Sequence, residues 1–401
     1  MIYLDSNATS QIDPAVVDAM LPFLREHYAN PSASYRSART VKSAMDAARV
    51  QVASLINAEP GEIVFTSCGT ESNNATIESA RMFWPQRKRL IIGATEHPAV
   101  REPAVRWERD GGIVTPISVA RNGIVDLAEL RKAVSQPDAA LVSIMWANNE
   151  TGTTAPMSEI VRIAHEAGVP VHTDAVQAYG KLQIDVKETQ VDYLSLSGHK
   201  FHAPKGVGAL FVSKRVRFHP SMLGGGQEMG RRSGTENVAS IVGMGVAAEL
   251  MKKQLDGGGE SMISAMRDEF ESRVLESLPG TVVNGSREQR LGTTSSLCFP
   301  GIDAAGMLIL LDEKGVCCSA GSACHAASVH PSPVLEAMGL DAAYAASTLR
   351  FSFSRFNTPD EVRTAAETVI SAVRKLRDLK AEDAGPVAFS VGECVPPRNI
   401  P

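Results

Sequence analysis

Short apolar runs alternate with longer amphipathic stretches through the first half of the chain. Ile63–Ser67, Arg89–Gly93, Gly112–Ser118, Leu141–Trp146, Val169–Thr173, Tyr193–Ser197 and Val207–Val212 read as strands. Helical patterns at Glu71–Phe83, Ala99–Arg109, Leu127–Ser135 and Met157–Ala167 fall between them. Repeated units of this size predict an α/β architecture, a mostly parallel sheet with helices on both faces. The pattern changes after the glycine run at 224–226. Long helices are expected over Asn237–Leu255 and Ser261–Ser277. Short strands follow at Thr281–Asn284, Thr294–Phe299, near Val316 and at Leu349–Phe353, with a helix over Ala304–Asp312. An amphipathic helix over Pro359–Leu379, with Thr358 as N-cap and Pro359 at its first position, closes the series. This mixture predicts a smaller α+β domain, with the N-terminal segment and its helix Pro14–Arg25 packed on it. The expected division is 14–258 for the large domain, 1–13 with 259–380 for the small one, and 381–401 as a flexible tail.

Composition narrows the class. A chain of 401 residues, 44% hydrophobic and 21% charged, has the balance of a globular enzyme with a sizeable core. Its net charge is -5 and no basic run is dense enough to track nucleic acid. No apolar stretch reaches membrane-spanning length, and the opening residues lack a charged segment followed by an apolar one, so a cytoplasmic protein is expected. The six cysteines are scattered and form no Cys-x-x-Cys pair, which argues against a disulfide framework. Cys317 and Cys318 fall in an apolar segment and are expected to be buried strand thiols.

The candidate chemistry gathers at strand ends. Tyr193–Ser197 leads into Gly198-His-Lys200, and Val169–Thr173 leads into Asp174-Ala-Val-Gln177. In a parallel sheet such ends converge on one crevice. A lysine and an aspartate meeting there suit pyridoxal phosphate: the lysine forms a Schiff base, and the aspartate keeps the pyridine nitrogen protonated so that the ring draws in electrons. Gly69 and Thr70, at a strand-to-helix turn, form a candidate phosphate site, to which Ser197 and His199 can add hydrogen bonds. His97 follows another strand and would lie over the ring. Finally, Cys324 sits in Ser319–Ser328, a run of small residues with nothing bulky to hold it in a core. It reads as a reactive thiol on a loop.

Several motifs together resemble one family. Tyr3-Leu-Asp-Ser-Asn-Ala-Thr9, Thr66-Ser-Cys-Gly-Thr-Glu71, Thr95-Glu-His-Pro98, Ala147-Asn-Asn-Glu-Thr-Gly152, Asp174-Ala-Val-Gln177, Ser197-Gly-His-Lys200, Pro204-Lys-Gly206, Arg231–Asn237, Gly321-Ser-Ala-Cys324 and Leu349-Arg-Phe-Ser352 occur in the order found in NifS/IscS-type cysteine desulfurases. The wording around Trp146 and Gln227 is nearer the nitrogen-fixation (NifS) branch. The resemblance implies the fold-type I architecture of pyridoxal-phosphate enzymes, with a seven-stranded sheet, and a homodimer. It implies that Lys200 carries the cofactor, Asp174 pairs with the ring nitrogen, Gln177 bonds the phenolic oxygen, and His97 stacks on the ring and, as a catalytic residue, assists proton transfer. Gly69, Thr70, Ser197 and His199 would hold the phosphate, with Thr235 reaching the phosphate of the neighbouring subunit. Arg350 would bind the carboxylate of L-cysteine, with Asn149 close to both substrate and ring. Cys324 would take the sulfur as a persulfide, leaving alanine, and pass it to a scaffold protein for iron–sulfur cluster assembly, with Cys324 itself a possible transient cluster ligand. No resident metal is implied. The chain departs from the family at Tyr35, where many relatives have histidine, and at His325, where threonine is common. Two other readings stay open on the residues alone: another pyridoxal-phosphate enzyme such as a selenocysteine lyase, or a non-catalytic sulfur or iron–sulfur carrier built on Cys317, Cys318 and Cys324.

Overall fold

The computed structural model describes residues 1–320 and 332–383, with the last four as helical backbone only. The chain opens with a short strand, β1 (Ile2–Tyr3). The main sheet follows, built from β2 (Ile63–Thr66), β3 (Arg89–Gly93), β4 (Ile113–Ile117), β5 (Ala139–Ser143), β6 (Val171–Asp174), β7 (Tyr193–Ser197) and β8 (Gly208–Val212). Their spatial order is β2-β8-β7-β6-β5-β3-β4, and only β8 runs against its neighbours. The expected mostly parallel seven-stranded sheet is therefore present.

Alternate residues of these strands enter two different cores. Ile63, Phe65, Ile91, Leu194, Leu196 and Phe211 pack into one cluster. Val64, Leu90, Ile92, Tyr193, Leu210 and Val212 pack into another on the opposite face. A strand covered on both faces favours apolar side chains on both, which is why the runs stand out in the sequence. The strand β5 stops short of the expected Trp146, because Met145 turns its amide to the Glu96 carboxylate (2.6 Å).

One long helix, Arg36–Ser54, has no counterpart in the sequence reading. Its buried face is Ala38, Val41, Met45, Ala48 and Val52, a three-four spacing made mostly of small residues, so its apolar signal is faint. It packs on the helix Val238–Asp256, where a Cβ at Gly245 would lie 2.6 Å from the Ala48 Cα. The helix Pro14–Arg25 also packs there, with Val16 and Met20 against Gly243, and Val16 belongs to the large core. The expectation that this helix packs on the smaller domain is thus corrected.

A separate core, that of the smaller part, gathers Leu4, Phe270, Phe351 and Phe353 beneath the helices Gly259–Ser277, Ala304–Glu313 and Pro359–Asp383. Its sheet comprises β9 (Val282–Val283) and β10 (Thr294–Cys298), then, beyond β11 (Val316–Cys317), β12 (Ser319–Ala320) and β13 (Thr348–Ser352). These are ordered β12-β13-β10-β9, while β11 pairs with β1. The last helix begins at a reciprocal cap: Glu361 N donates to Thr358 Oγ1 (3.2 Å) and Thr358 N to the Glu361 carboxylate (2.9 Å). It runs to Asp383, past the expected Leu379. Cys318 packs against this core, but Cys317 and Cys318 are both only half-buried, and Cys318 falls between β11 and β12, so neither fully meets the expectation of a buried strand thiol. Residues 4–13 stitch the two parts together. Ser352 N donates to Leu4 O (2.7 Å), and Ser10 N donates to His199 O (2.8 Å).

The segment after β8 is pinned by Glu228. Its carboxylate accepts both terminal nitrogens of Arg49 (2.7 Å each) and the Phe65 amide (2.8 Å). Glu228 and Met229 have φ of 49° and 58°, a left-handed conformation that non-glycine residues hold only under constraint. Glu228→Ala would strand Arg49, and we predict a loss of about 3 kcal/mol in stability. Urea unfolding checks this through a lower midpoint at unchanged slope; a loss below about 0.5 kcal/mol would contradict the clamp.

Candidate active site

The carboxyl ends of β2, β3, β5, β6 and β7 border one cavity of about 410 Å³, within the range of small-molecule sites. Cys68–Thr70 follow β2, Glu96 and His97 follow β3, Asn149 and Glu150 follow β5, Asp174–Gln177 end β6, and Ser197–Lys200 end β7; all contribute to its wall. Arg350 reaches it from β13. The fold thus brings together ten of the twelve positions expected from sequence, all but Thr235 and Cys324. Thr235 lines a separate cavity beside Glu228 and Arg232. Cys324 lies outside the described residues.

Lys200 Nζ donates to Asn7 O (2.7 Å) and Ala8 O (2.8 Å), so the N-terminal segment holds the amine at the cavity wall. Asp174 is buried; Oδ2 accepts from Asn73 Nδ2 (2.7 Å) and Oδ1 from Val176 N (3.0 Å). Two donors of this kind hold a carboxylate in place for a cationic partner. His97 caps the helix Pro98–Arg109, its Nδ1 accepting from Ala99 N (3.1 Å). That bond leaves the proton of the neutral ring on Nε2. Burial lowers the His97 pKa against the opposing pull of Asp174, with Lys200 and Arg101 lowering it further. Burial and the lysines 200, 205 and 181 push His199 down to about 4. Its Nδ1 meets Thr9 Oγ1 at 3.2 Å.

Gly69 opens the helix Gly69–Phe83, and Cys68 supplies no side-chain cap. The leading amides are thus available to an anion in the cavity. The glycine itself is required by packing: a Cβ there would lie 2.6 Å from Val176 Cγ2. Arg350 is buried, with Nη2 on Asp5 Oδ1 (2.8 Å) and Nη1 on Asn149 O (3.0 Å); among the described residues its Nε has no partner. Asp5 also accepts from Ser319 Oγ (2.8 Å). Several site residues escaped the sequence reading. Asn73 lies one helical turn after Gly69 and Thr70, a spacing that would have exposed it. Lys181 follows Gln177 by four and donates to its Oε1 (2.6 Å). Glu96 is held by the Met145 amide on one oxygen while Oε2 has no partner among the described residues, and burial, with Asp174 nearby, raises its pKa well above the carboxylate range. Burial likewise raises Glu150 to about 7, against the Ser332 hydroxyl at 2.5 Å and the charges of Arg350 and Arg101.

An uncapped helix start, a fixed carboxylate, a lysine at a strand end and a buried arginine with a spare Nε–H fit pyridoxal phosphate together with an amino acid. The sequence agrees: this chain belongs to the class-V aminotransferase family, which it matches over residues 2–364. It is similar to a cysteine desulfurase of Nostoc sp., 43% identical over 388 residues that make up 96% of each chain. It is also similar to the cysteine desulfurase NifS of Azotobacter vinelandii, 43% identical over 379 residues and 94% of each. Among solved structures it resembles a NifS-like protein with a TM-score of 0.87 and 36% identity, covering 94% of this chain and 100% of that one. It also resembles SspA in complex with cysteine, with a TM-score of 0.80 and 35% identity, covering 89% and 100%. Among the described residues no helix is long and apolar enough to cross a membrane, and no cluster of metal-ligating side chains is present.

Proposed function

We propose that this chain converts L-cysteine to L-alanine as a pyridoxal-phosphate-dependent cysteine desulfurase, taking the sulfur as a persulfide on Cys324. The observation that carries the reading is the meeting of Lys200, Asp174 and Arg350 on one cavity, in a chain so similar to cysteine desulfurases along most of its length. Asp174 would hold the ring nitrogen, Gln177 the phenolic oxygen and His97 the ring face. The amides of Gly69 and Thr70, with Ser197 and His199, would hold the phosphate. When bound, pyridoxal phosphate supplies an aldehyde for an amine and a sink for the electrons of the Cα–H bond.

Arg350 uses Nε–H and its remaining Nη hydrogens to grip the substrate carboxylate, with Asn149 beside it. That grip places Cα near the end of β7, where the freed Lys200 amine takes its proton. The Cys324 thiolate attacks the substrate sulfur; an S–S bond forms, the Cβ–S bond breaks, Cβ receives a proton, and Lys200 returns a proton to Cα to give alanine. Two equivalents of an external thiol then release the sulfur as sulfide and leave a disulfide of the reductant. Thr235, remote from this cavity in its own subunit, would serve the site of a partner copy, which makes the enzyme a homodimer. The acceptor would be a scaffold for iron–sulfur clusters, in a cytoplasmic and nitrogenase-related setting. Purified protein supplied with pyridoxal phosphate, L-cysteine and a thiol should release alanine and sulfide in equal amounts. Alanine formation that fails, or that proceeds without sulfide, overturns the proposal.

A further inference from the structure

Lys181 lies in the turn that follows β6, and its side chain is buried behind the cavity wall. Its Nζ donates to Gln177 Oε1 at 2.6 Å and to Asn7 Oδ1 at 3.1 Å. An ammonium only donates, so the Gln177 atom turned to it must be the oxygen. The amide nitrogen is thereby turned the other way. It carries two hydrogens; one goes to Asn7 O at 3.0 Å, and the other is left for the cavity that Gln177 lines. Among the described residues no carboxylate lies within ion-pair distance of Lys181. Burying an unpaired ammonium costs stability, and an apolar side chain would fill the same space at less cost.

We infer that Lys181 is a positioning residue that locks Gln177 with its NH2 group toward the site, so that the site favours an ionised ligand oxygen over a protonated hydroxyl. On the cofactor reading above, on which this inference rests, that oxygen is the phenolic one. Burial, with Lys200 and Arg350, lowers the Lys181 pKa to about 7. A neutral amine still has two hydrogens for Gln177 Oε1 and Asn7 Oδ1, which preserves both bonds, while the donor-only constraint itself belongs to the ammonium form. The other titratable groups facing Lys181 are His199 and His202, with Glu260 and Arg355 across a small cavity behind it.

The test titrates the lysine-bound chromophore of the full-length, pyridoxal-phosphate-loaded protein against pH. A donor to the ionised oxygen favours the deprotonated chromophore, so losing it raises the midpoint. Lys181→Met should raise the midpoint by about one unit, and Lys181→Arg, which keeps a donor-only cation, should leave it near the wild-type value. In a Gln177→Ala background the same Lys181→Met change should move the midpoint little, because the two residues act as one unit. If Lys181→Met does not fold, comparing Lys181→Arg with Lys181→Gln asks the same question, since an amide can turn an acceptor toward Gln177. An unmoved midpoint, or an equal shift with and without Gln177, overturns the inference. A wild-type protein that forms no coloured lysine adduct overturns the cofactor reading instead.

Discussion

Lys200→Ala lowers alanine formation from L-cysteine by about 10⁴-fold, the upper range for losing a positioned acid–base group. On the proposed mechanism the effect is large because one amine would have two tasks: anchoring the cofactor and then taking the Cα proton. Burial keeps Lys181 behind the wall on Gln177 and Asn7, and the two imidazoles nearby are engaged with Ala99 N and Thr9 Oγ1. Folding should be little changed, since the Lys200 side chain is half-exposed and its Nζ donates to the backbone carbonyls of Asn7 and Ala8. Borohydride reduction of the wild-type protein followed by peptide mapping should place the pyridoxyl label on Lys200. A label elsewhere, or a variant within tenfold of wild type, would remove Lys200 from its role.

Cys324→Ala keeps the cofactor and its colour but loses roughly 10³-fold or more of the alanine released from L-cysteine, as expected when a nucleophile is deleted. The other thiols near the small core are poor substitutes. Burial, with Asp5 and Cys317 nearby, pushes Cys318 far up, and burial with Asp312 and Asp5 raises Cys317. Buried Cys298 is pushed up to about 11. A thiol with a raised pKa holds little thiolate at pH 7 and attacks slowly. Mass spectrometry after one turnover without reductant should find the added sulfur on the peptide containing Cys324. Sulfur on Cys317 or Cys318, or an alanine variant that retains cysteine activity, would sink the mechanism. With selenocysteine as substrate the variant should lose far less, because selenium leaves without thiol attack; that comparison separates a desulfurase from a selenocysteine lyase.

Much of this was legible in the sequence. Strands buried on both faces are mostly apolar, so β3 and β7 could be read to the residue, and Lys200 and Asp174 could be placed at strand ends without coordinates. Where a helix packs through alanine and glycine, as Arg36–Ser54 does on Val238–Asp256, close approach replaces bulk and the apolar pattern fades. Tertiary structure alone decided which distant residues finish the site. Asn7 touches Lys200, Gln177 and Lys181 because residues 4–13 cross between the two cores, and Arg350 meets Asp5 because β13 lies beside that crossing. Sequence patterning records what each residue needs from its local element: a period, a cap, a burial. It does not record which carbonyl a lysine will meet, or whether a buried carboxyl such as Glu96 will find a second donor. Those depend on how separate elements close on one another, and hydrogen bonds and desolvation then act over a few ångströms whatever the separation along the chain.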